Sequence, residues 1–306
     1  MRTLVVGAGA VGGYFGGRLL EAGRDVTFLV RPRRGEELAD SGLRIRSRFG
    51  DVTLSNPPAI LAANLSSAFD LVLLSCKAYD LDSAIASFGP AVGRDTVILP
   101  ILNGMRHLEI LDDRFGPDRV LGGQCLIAAT LNERREIVHL NDAHAVSFGE
   151  RGGTMSDRVM ALDRLMDGAR FHHRASPNIV LEMWEKWVFL ATLAGSTCLM
   201  RGTIGDIASA PGGSDLVLGL FEECTSIAVA QGYPPRDPFL ERTRPILTAA
   251  GSPLTASMLR DIEAGAPIEA DHIIGDFLAR GGGSLLPIVY SHLKAYEARR
   301  SRELAS

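Results

Sequence analysis

Thr3-Leu4-Val5-Val6-Gly7-Ala8-Gly9-Ala10-Val11-Gly12 decides the fold. Its first four residues form a short apolar run suited to a buried parallel strand, and they pass without a linker into a G-x-G-x-x-G pattern. A helix pattern follows, with Phe15, Leu19 and Leu20 apolar and Gly12, Gly13, Gly16 and Gly17 keeping one face thin. The glycine pattern alone is weak; between a strand and a helix it marks a dinucleotide-binding turn. Gly7 serves the tight turn, Gly9 lets the backbone approach a pyrophosphate, and Gly12 allows the helix to pack closely on the strand. Ala10 and Val11 then open the helix whose N-terminus would receive the phosphates.

Outward from this stretch, Asp25 to Val30 is the second strand, ending where the adenosine ribose of a dinucleotide lies. An acidic residue there holds two ribose hydroxyls and repels a phosphate. This chain has Arg31, followed by Arg33 and Arg34, and a guanidinium pairs with a 2'-phosphate in bidentate fashion. NADP(H) is therefore favoured over NAD(H), with Arg31 as the contact and Arg33 and Arg34 in a basic loop. Phe69 to Cys76 and Thr96 to Leu102 are two more buried strands, ending at Lys77 and at Asn103-Gly104. Ligands collect outside the carboxyl ends of such strands, so Lys77 and Asn103 are candidates for the same crevice.

Alternating segments at Leu43 to Ile45, Val52 to Leu54, Gln124 to Thr130, Glu136 to Leu140 and Ala145 to Gly149 read as further strands. The last three are expected to complete the sheet in antiparallel fashion. A helix spans Ser156 to Met166, and Arg170 to Arg174 makes an edge strand. The fold class is α/β, with an N-terminal Rossmann-type doubly wound sheet and a C-terminal all-helical domain.

Beyond Ser176-Pro177 the pattern turns to long helical runs, which sets the domains at 1–173 and 174–306. Helices are expected over about 179–200, 213–231 and 238–249, from Ser252-Pro253 to about Ala264, from Pro267 onward, and from Leu286 to about Arg300. Lys186 stands in the first of these, in Trp184-Glu185-Lys186-Trp187-Val188-Phe189-Leu190, on a helix apolar on nearly every face. An ammonium is costly to bury there without a carboxylate, ligand or water beside it. It is read as the proton donor of a reductase, against the alternative of a lysine paired with Glu182 one turn back. Pro267-Ile268-Glu269 places Glu269 in the first turn of its helix, where a carboxylate is favourable in any case.

The 306 residues, 46% of them hydrophobic, suffice for two domains, at roughly 100 to 200 residues each. A net charge of -4 offers no long-range attraction to nucleic acid or an anionic membrane. Cys76, Cys125, Cys198 and Cys224 show no metal-ligand spacing and read as reduced and buried, as in a cytosolic protein. No signal-peptide pattern opens the chain, and the longest apolar run is too short for a bilayer span of about 20 residues. The expectation is a soluble, cytoplasmic protein with a small-molecule substrate and no metal.

The residues also carry a resemblance. The chain resembles the ketopantoate reductase (2-dehydropantoate 2-reductase) family over nearly its full length. Six ordered segments carry the likeness: GAGAVGGYFGGRL from Gly7, Arg31 after the second strand, SCKAYD around Lys77, LNGM around Asn103, W-x-K at Lys186, and SMLRDI with IEADHI between Ser257 and Ile273. The resemblance implies NADPH between two domains and reduction of ketopantoate in pantothenate biosynthesis. By position it implies Lys186 as general acid assisted by Glu269, Asn103 near nicotinamide and substrate, Lys77 at the cofactor, and Ser257 on the substrate. A homodimer is compatible with it.

Two departures stand out. Four and eight residues after the lysine the family typically has asparagines, where this chain has Leu190 and Ala194. A site that hydrogen-bonds a substrate hydroxyl discriminates strongly through that contact, and an apolar residue gives it up. Thr197, near the same face, is the candidate to replace it. The segment Gly281-Gly282-Gly283 to Pro287 is also shorter than in the family. The alternatives are therefore a reductase of a more apolar 2-oxo acid, a non-catalytic NADP(H)-binding sensor, or a dehydrogenase of opines or phosphorylated polyols.

Overall fold

In chain order the strands are β1 (Thr3–Val6), β2 (Val26–Leu29), β3 (Leu43–Arg46), β4 (Val52–Leu54), β5 (Ala59–Ile60), β6 (Phe69–Leu74), β7 (Val92–Pro100), β8 (Gly122–Leu131), β9 (Ile137–Gly149) and β10 (His172–Ala175). The computed structural model describes residues 1–305. The chain divides into two units, Met1–Leu102 with His107–Val180, and Asn103–Arg106 with the chain from Leu181 onward.

The first unit holds all ten strands, with helices α1 (Ala10–Glu21), α2 (Pro32–Ser41), α3 (Leu81–Phe88), most of α4 (Arg106–Phe115) and α5 (Asp157–Met166). One sheet runs β5-β2-β1-β6-β7, every pairing parallel. Val6 pairs with Leu29 on one side and Leu74 on the other, so β1, β2 and β6 end level. The strand order reverses between β1 and β6, the switch point at which such sheets hold ligands.

The segments expected to complete that sheet do not: Gln124 to Thr130 falls in β8, Glu136 to Leu140 and Ala145 to Gly149 are one continuous strand, β9, and neither joins it. A second sheet, β10-β9-β3-β4, takes them, with β8 antiparallel to β9, while β10 and β3 run parallel to β9. The glycine face of α1 explains the arrangement. A Cβ on Gly16 would lie 2.6 Å from the Phe28 ring of the first sheet, and one on Gly17 would lie 2.9 Å from Leu43 and Ile45 of the second. α1 is thus clamped between two sheets that crowd it on both sides.

The second unit is helical: α6 (Ile179–Met200, entering from the first unit), α7 (Ile204–Ser209), α8 (Gly213–Ala230), α9 (Asp237–Leu247), α10 (Ser257–Glu263), a π-helical turn at Asp271–Gly275, α11 (Asp276–Arg280) and α12 (Leu286–Ala305). Its core is aromatic: the Trp187 ring lies 3.8 Å from that of Phe277, and Trp184 stacks on Tyr233 at 5.4 Å. The glycine segment before α12 is a cap. The Glu223 carboxylate accepts the backbone N–H groups of Ser284, Leu285 and Leu286, and a Cβ on Gly283 would sit 2.1 Å from its Oε2. Burial raises the pKa of Glu223, but these donors outweigh it and hold the carboxyl below its ordinary value.

Two helix starts fall later than the sequence suggests. Ser252 to Ala256 stays outside the helix because the carbonyls of Ser252 and Leu254 receive the N–H groups of Gly205 and Ile204, and α10 begins at Ser257. Gly265 and Ala266 are likewise held by Arg300 and Tyr296 through their carbonyls, so the chain becomes helical only from Ala270. Among the described residues no helix is long and apolar enough to cross a membrane. Cys125, Cys198 and Cys224 are buried, whereas Cys76, expected to be buried too, is partly exposed.

Candidate active site

In the first unit the site is the turn after β1. The Gly7 N–H donates to the Leu29 carbonyl at 3.0 Å while Gly7 takes a φ of +94°, which a side chain resists. A Cβ on Gly12 would lie 2.1 Å from Ser75 Oγ and 2.3 Å from the Gly7 carbonyl oxygen, so α1 starts against the backbone it follows. Ser75 Oγ in turn donates to the Val6 carbonyl at 3.1 Å, joining the ends of β1 and β6. Gly9 is the opposite case: it is exposed, and a Cβ there would meet nothing within 4 Å. Gly9 caps α1 without a side chain, and no acidic residue occupies the first turn, so no carboxylate there competes with an anion for the N–H groups at Ala10 and Val11. This open cradle fits a dinucleotide pyrophosphate.

Arg31 is the N-cap of α2, and its Nη2 donates to Asp80 Oδ1 at 2.6 Å and to Ser83 Oγ at 3.3 Å. The Asp80 carboxylate, by that bond and its charge, raises the Arg31 pKa. Lys77 is half-buried at the end of β6, ahead of the short turn that carries Asp80. Arg33 and Arg34 lie in the first turn of α2 rather than in a loop. Arg34 is mostly buried, donating to the Ala8 carbonyl at 3.0 Å and to Glu37 at 2.9 Å, so it braces the glycine turn from behind.

In the second unit Lys186 is half-buried on α6, between Glu185 and Trp187, both buried. Arg236 engages the Glu185 carboxylate through its backbone N–H (3.0 Å) and its guanidinium. Trp187 Nε1–H donates to the Ile273 carbonyl at 3.0 Å, and the Ile273 N–H donates to the Glu269 carbonyl at 2.9 Å. Glu269 precedes the helical residues rather than lying in the first turn. The loop at Asn103-Gly104 sits against His272: Gly104 has a φ of +79°, a Cβ there would lie 2.9 Å from the His272 carbonyl, and the His272 ring hydrogen-bonds the Asn103 backbone. Burial pushes the His272 pKa down although Glu269 and Asp276 pull it up. Glu269, His272 and Asn103 thus form one cluster.

Ser257 opens α10 and is exposed. Thr197 does not replace the missing asparagines. It is fully buried, its hydroxyl donating to the Leu193 carbonyl at 2.7 Å and accepting the Ala256 N–H at 3.4 Å, so it serves the backbone ahead of Ser257. Leu190 is partly exposed and Ala194 is buried. Sequence reasoning passed over Asp80, His272 and the indole of Trp187. Asp80 and His272 stood inside SCKAYD and IEADHI, but nothing local shows that they reach Arg31 and Asn103.

A family model described as ketopantoate reductase PanE/ApbA matches residues 3–153, and one for the C terminal of the same family matches residues 178–293. The chain is 36% identical to an uncharacterized oxidoreductase, YkpB, of Bacillus subtilis, over 98% of this chain and 100% of that protein. The crystal structure of 2-dehydropantoate 2-reductase from Geobacter metallireducens superposes with a TM-score of 0.88 at 29% identity, covering 96% of this chain and 99% of that one. A D-mandelate dehydrogenase, solved with NADH and anilino(oxo)acetate, shares the fold at 18% identity with a TM-score of 0.88, covering 98% and 100%. The chain belongs to the ketopantoate reductase PanE/ApbA family of oxidoreductases.

Proposed function

We propose that the protein reduces a small 2-oxo acid with NADPH, with 2-dehydropantoate as the first candidate substrate, Lys186 as general acid and Glu269 as the carboxylate that assists it. The observation that carries this reading is the placement of Lys186: a half-buried cation on a helix whose neighbouring residues are buried, in the same unit as the Glu269–His272–Asn103 cluster. Gly7, Gly9, Ala10, Val11 and Gly12 would cradle the pyrophosphate, Arg31 would take the 2'-phosphate, Lys77 would contact the cofactor, and Asn103 would serve nicotinamide and substrate.

A bound nicotinamide would supply the hydride for the keto carbon. The protein then has an alkoxide to stabilise and protonate. A lysine ammonium within about 3 Å of that oxygen does both, giving up one proton as the C–O bond becomes single, and regains it from solvent. Asn103 offers an amide for the substrate, and Ser257 a hydroxyl for its carboxylate end.

Leu190 and Ala194 favour a second reading within the same chemistry, a 2-oxo acid with an apolar side chain. The fold supports both, since the D-mandelate dehydrogenase neighbour is named for a substrate with an aromatic side chain. A panel of 2-oxo acids, with 2-dehydropantoate beside branched aliphatic and aromatic ones, read by loss of NADPH absorbance, ranks the substrates. Turnover on none of them would replace the enzyme reading with that of an NADP(H)-binding sensor.

A further inference from the structure

The Arg31–Asp80 pair spans the rim where a 2'-phosphate would arrive. It runs from the residue that caps α2 to the turn before α3, at the carboxyl ends of β2 and β6. The Arg31 side chain is 69% exposed and that of Asp80 35% exposed, so a ligand can reach both, and a pair this open adds little to the stability of the fold. Its effect falls on the ligand. Nη2 of Arg31 already serves Asp80 and Ser83, so a phosphate that pairs with that nitrogen competes with Asp80, and one that takes the other guanidinium N–H groups still lies beside the Asp80 carboxylate. The ribose of NADH brings no phosphate, and its hydroxyls can donate to a carboxylate.

We infer that Asp80 is a specificity-determining residue for the cofactor: it competes with the 2'-phosphate for Arg31 and narrows the preference for NADPH over NADH. This rests on the reading of Arg31 as the 2'-phosphate contact. The direction follows from the charges alone. Exposed charge pairs are weakened by solvent and salt, which limits the effect to about tenfold, equivalent to about 1.4 kcal/mol.

The test is the dissociation constant of NADPH and of NADH, read by reduced-nicotinamide fluorescence, for the wild type, Asp80→Asn, Arg31→Ala and the double variant. Asparagine keeps the size of Asp80 and its suitability ahead of a helix, so the turn is preserved. Asp80→Asn is expected to tighten NADPH about tenfold, to leave NADH within about twofold, and to lose its advantage at high salt. In the Arg31→Ala background the gain on NADPH should fall below about threefold, because the competition has gone. Unchanged or weaker NADPH binding by Asp80→Asn, or equal tightening of both cofactors, overturns the role of Asp80. Equal losses of NADPH and NADH in Arg31→Ala overturn the reading of Arg31 instead, so the two failures are told apart.

Discussion

The indole N–H of Trp187 donates to the carbonyl of Ile273 at 3.0 Å, tying the helix that carries Lys186 to the π-helical turn that follows Glu269. π-helical turns are rare and frequent at functional sites, and here the turn begins two residues beyond Glu269 with His272 on the Asn103 backbone. Trp187→Phe keeps an aromatic ring against Phe277 but removes the indole donor from the Ile273 carbonyl. It should cost about 1 to 3 kcal/mol in urea unfolding, and lower kcat with the KM for NADPH unchanged. An unchanged unfolding midpoint would show that the bond contributes nothing.

The glycine turn separates packing from binding at two positions three residues apart. Gly12→Ala drives a Cβ into Ser75 and into the Gly7 carbonyl, so it should lower the melting temperature as well as NADPH affinity. Gly9→Ala adds a methyl to open space. It should leave the melting temperature nearly unchanged while weakening NADPH by more than about tenfold, because the methyl occupies the approach of the pyrophosphate. Thermal melts and cofactor titrations on both variants check the contrast.

Acid should loosen the first unit through His144. This ring is buried, stacked on Phe49 at 3.9 Å, with Nδ1 2.8 Å from the Tyr14 hydroxyl and with His139, His172 and Arg18 close by. Burial, then the neighbouring His139, His172 and Arg18, push its pKa down to about 4. The unfolded chain binds this proton near pH 6.5 and the native one only near 4, so stability is unaffected above about pH 6.5 and is lost progressively as the pH falls toward 4. Melting temperatures at about pH 7 and pH 5 should differ less in His144→Gln than in the wild type; an equal drop in both would place the sensitivity elsewhere.

The parts of the site legible in the sequence are those fixed by local pattern. The glycine turn, Arg31 and Lys77 follow directly from strand ends, and the W-x-K segment marks Lys186 on its helix. What sequence could not supply depends on partners far along the chain. Alternation placed strands at Glu136 to Leu140 and Ala145 to Gly149, but not that they run on as the single strand β9, with Ile137 in register with Ile45 in a second sheet. Pro267 looked like a helix start, yet Tyr296 and Arg300 hold the carbonyls ahead of it and delay the helix past Glu269. Thr197 had the right spacing to face a substrate, and its hydroxyl is spent on Leu193 and Ala256.

The role proposed for Lys186 is to protonate the alkoxide oxygen formed when the 2-oxo acid is reduced. The most direct measurement is single-turnover reduction of the best substrate from the 2-oxo acid panel by wild type and Lys186→Ala, with NADPH affinity measured in parallel. The rate is expected to fall by at least about a hundredfold in the variant, the usual scale for losing a general acid, with NADPH binding within about twofold of wild type. Near-wild-type turnover in Lys186→Ala would contradict that role.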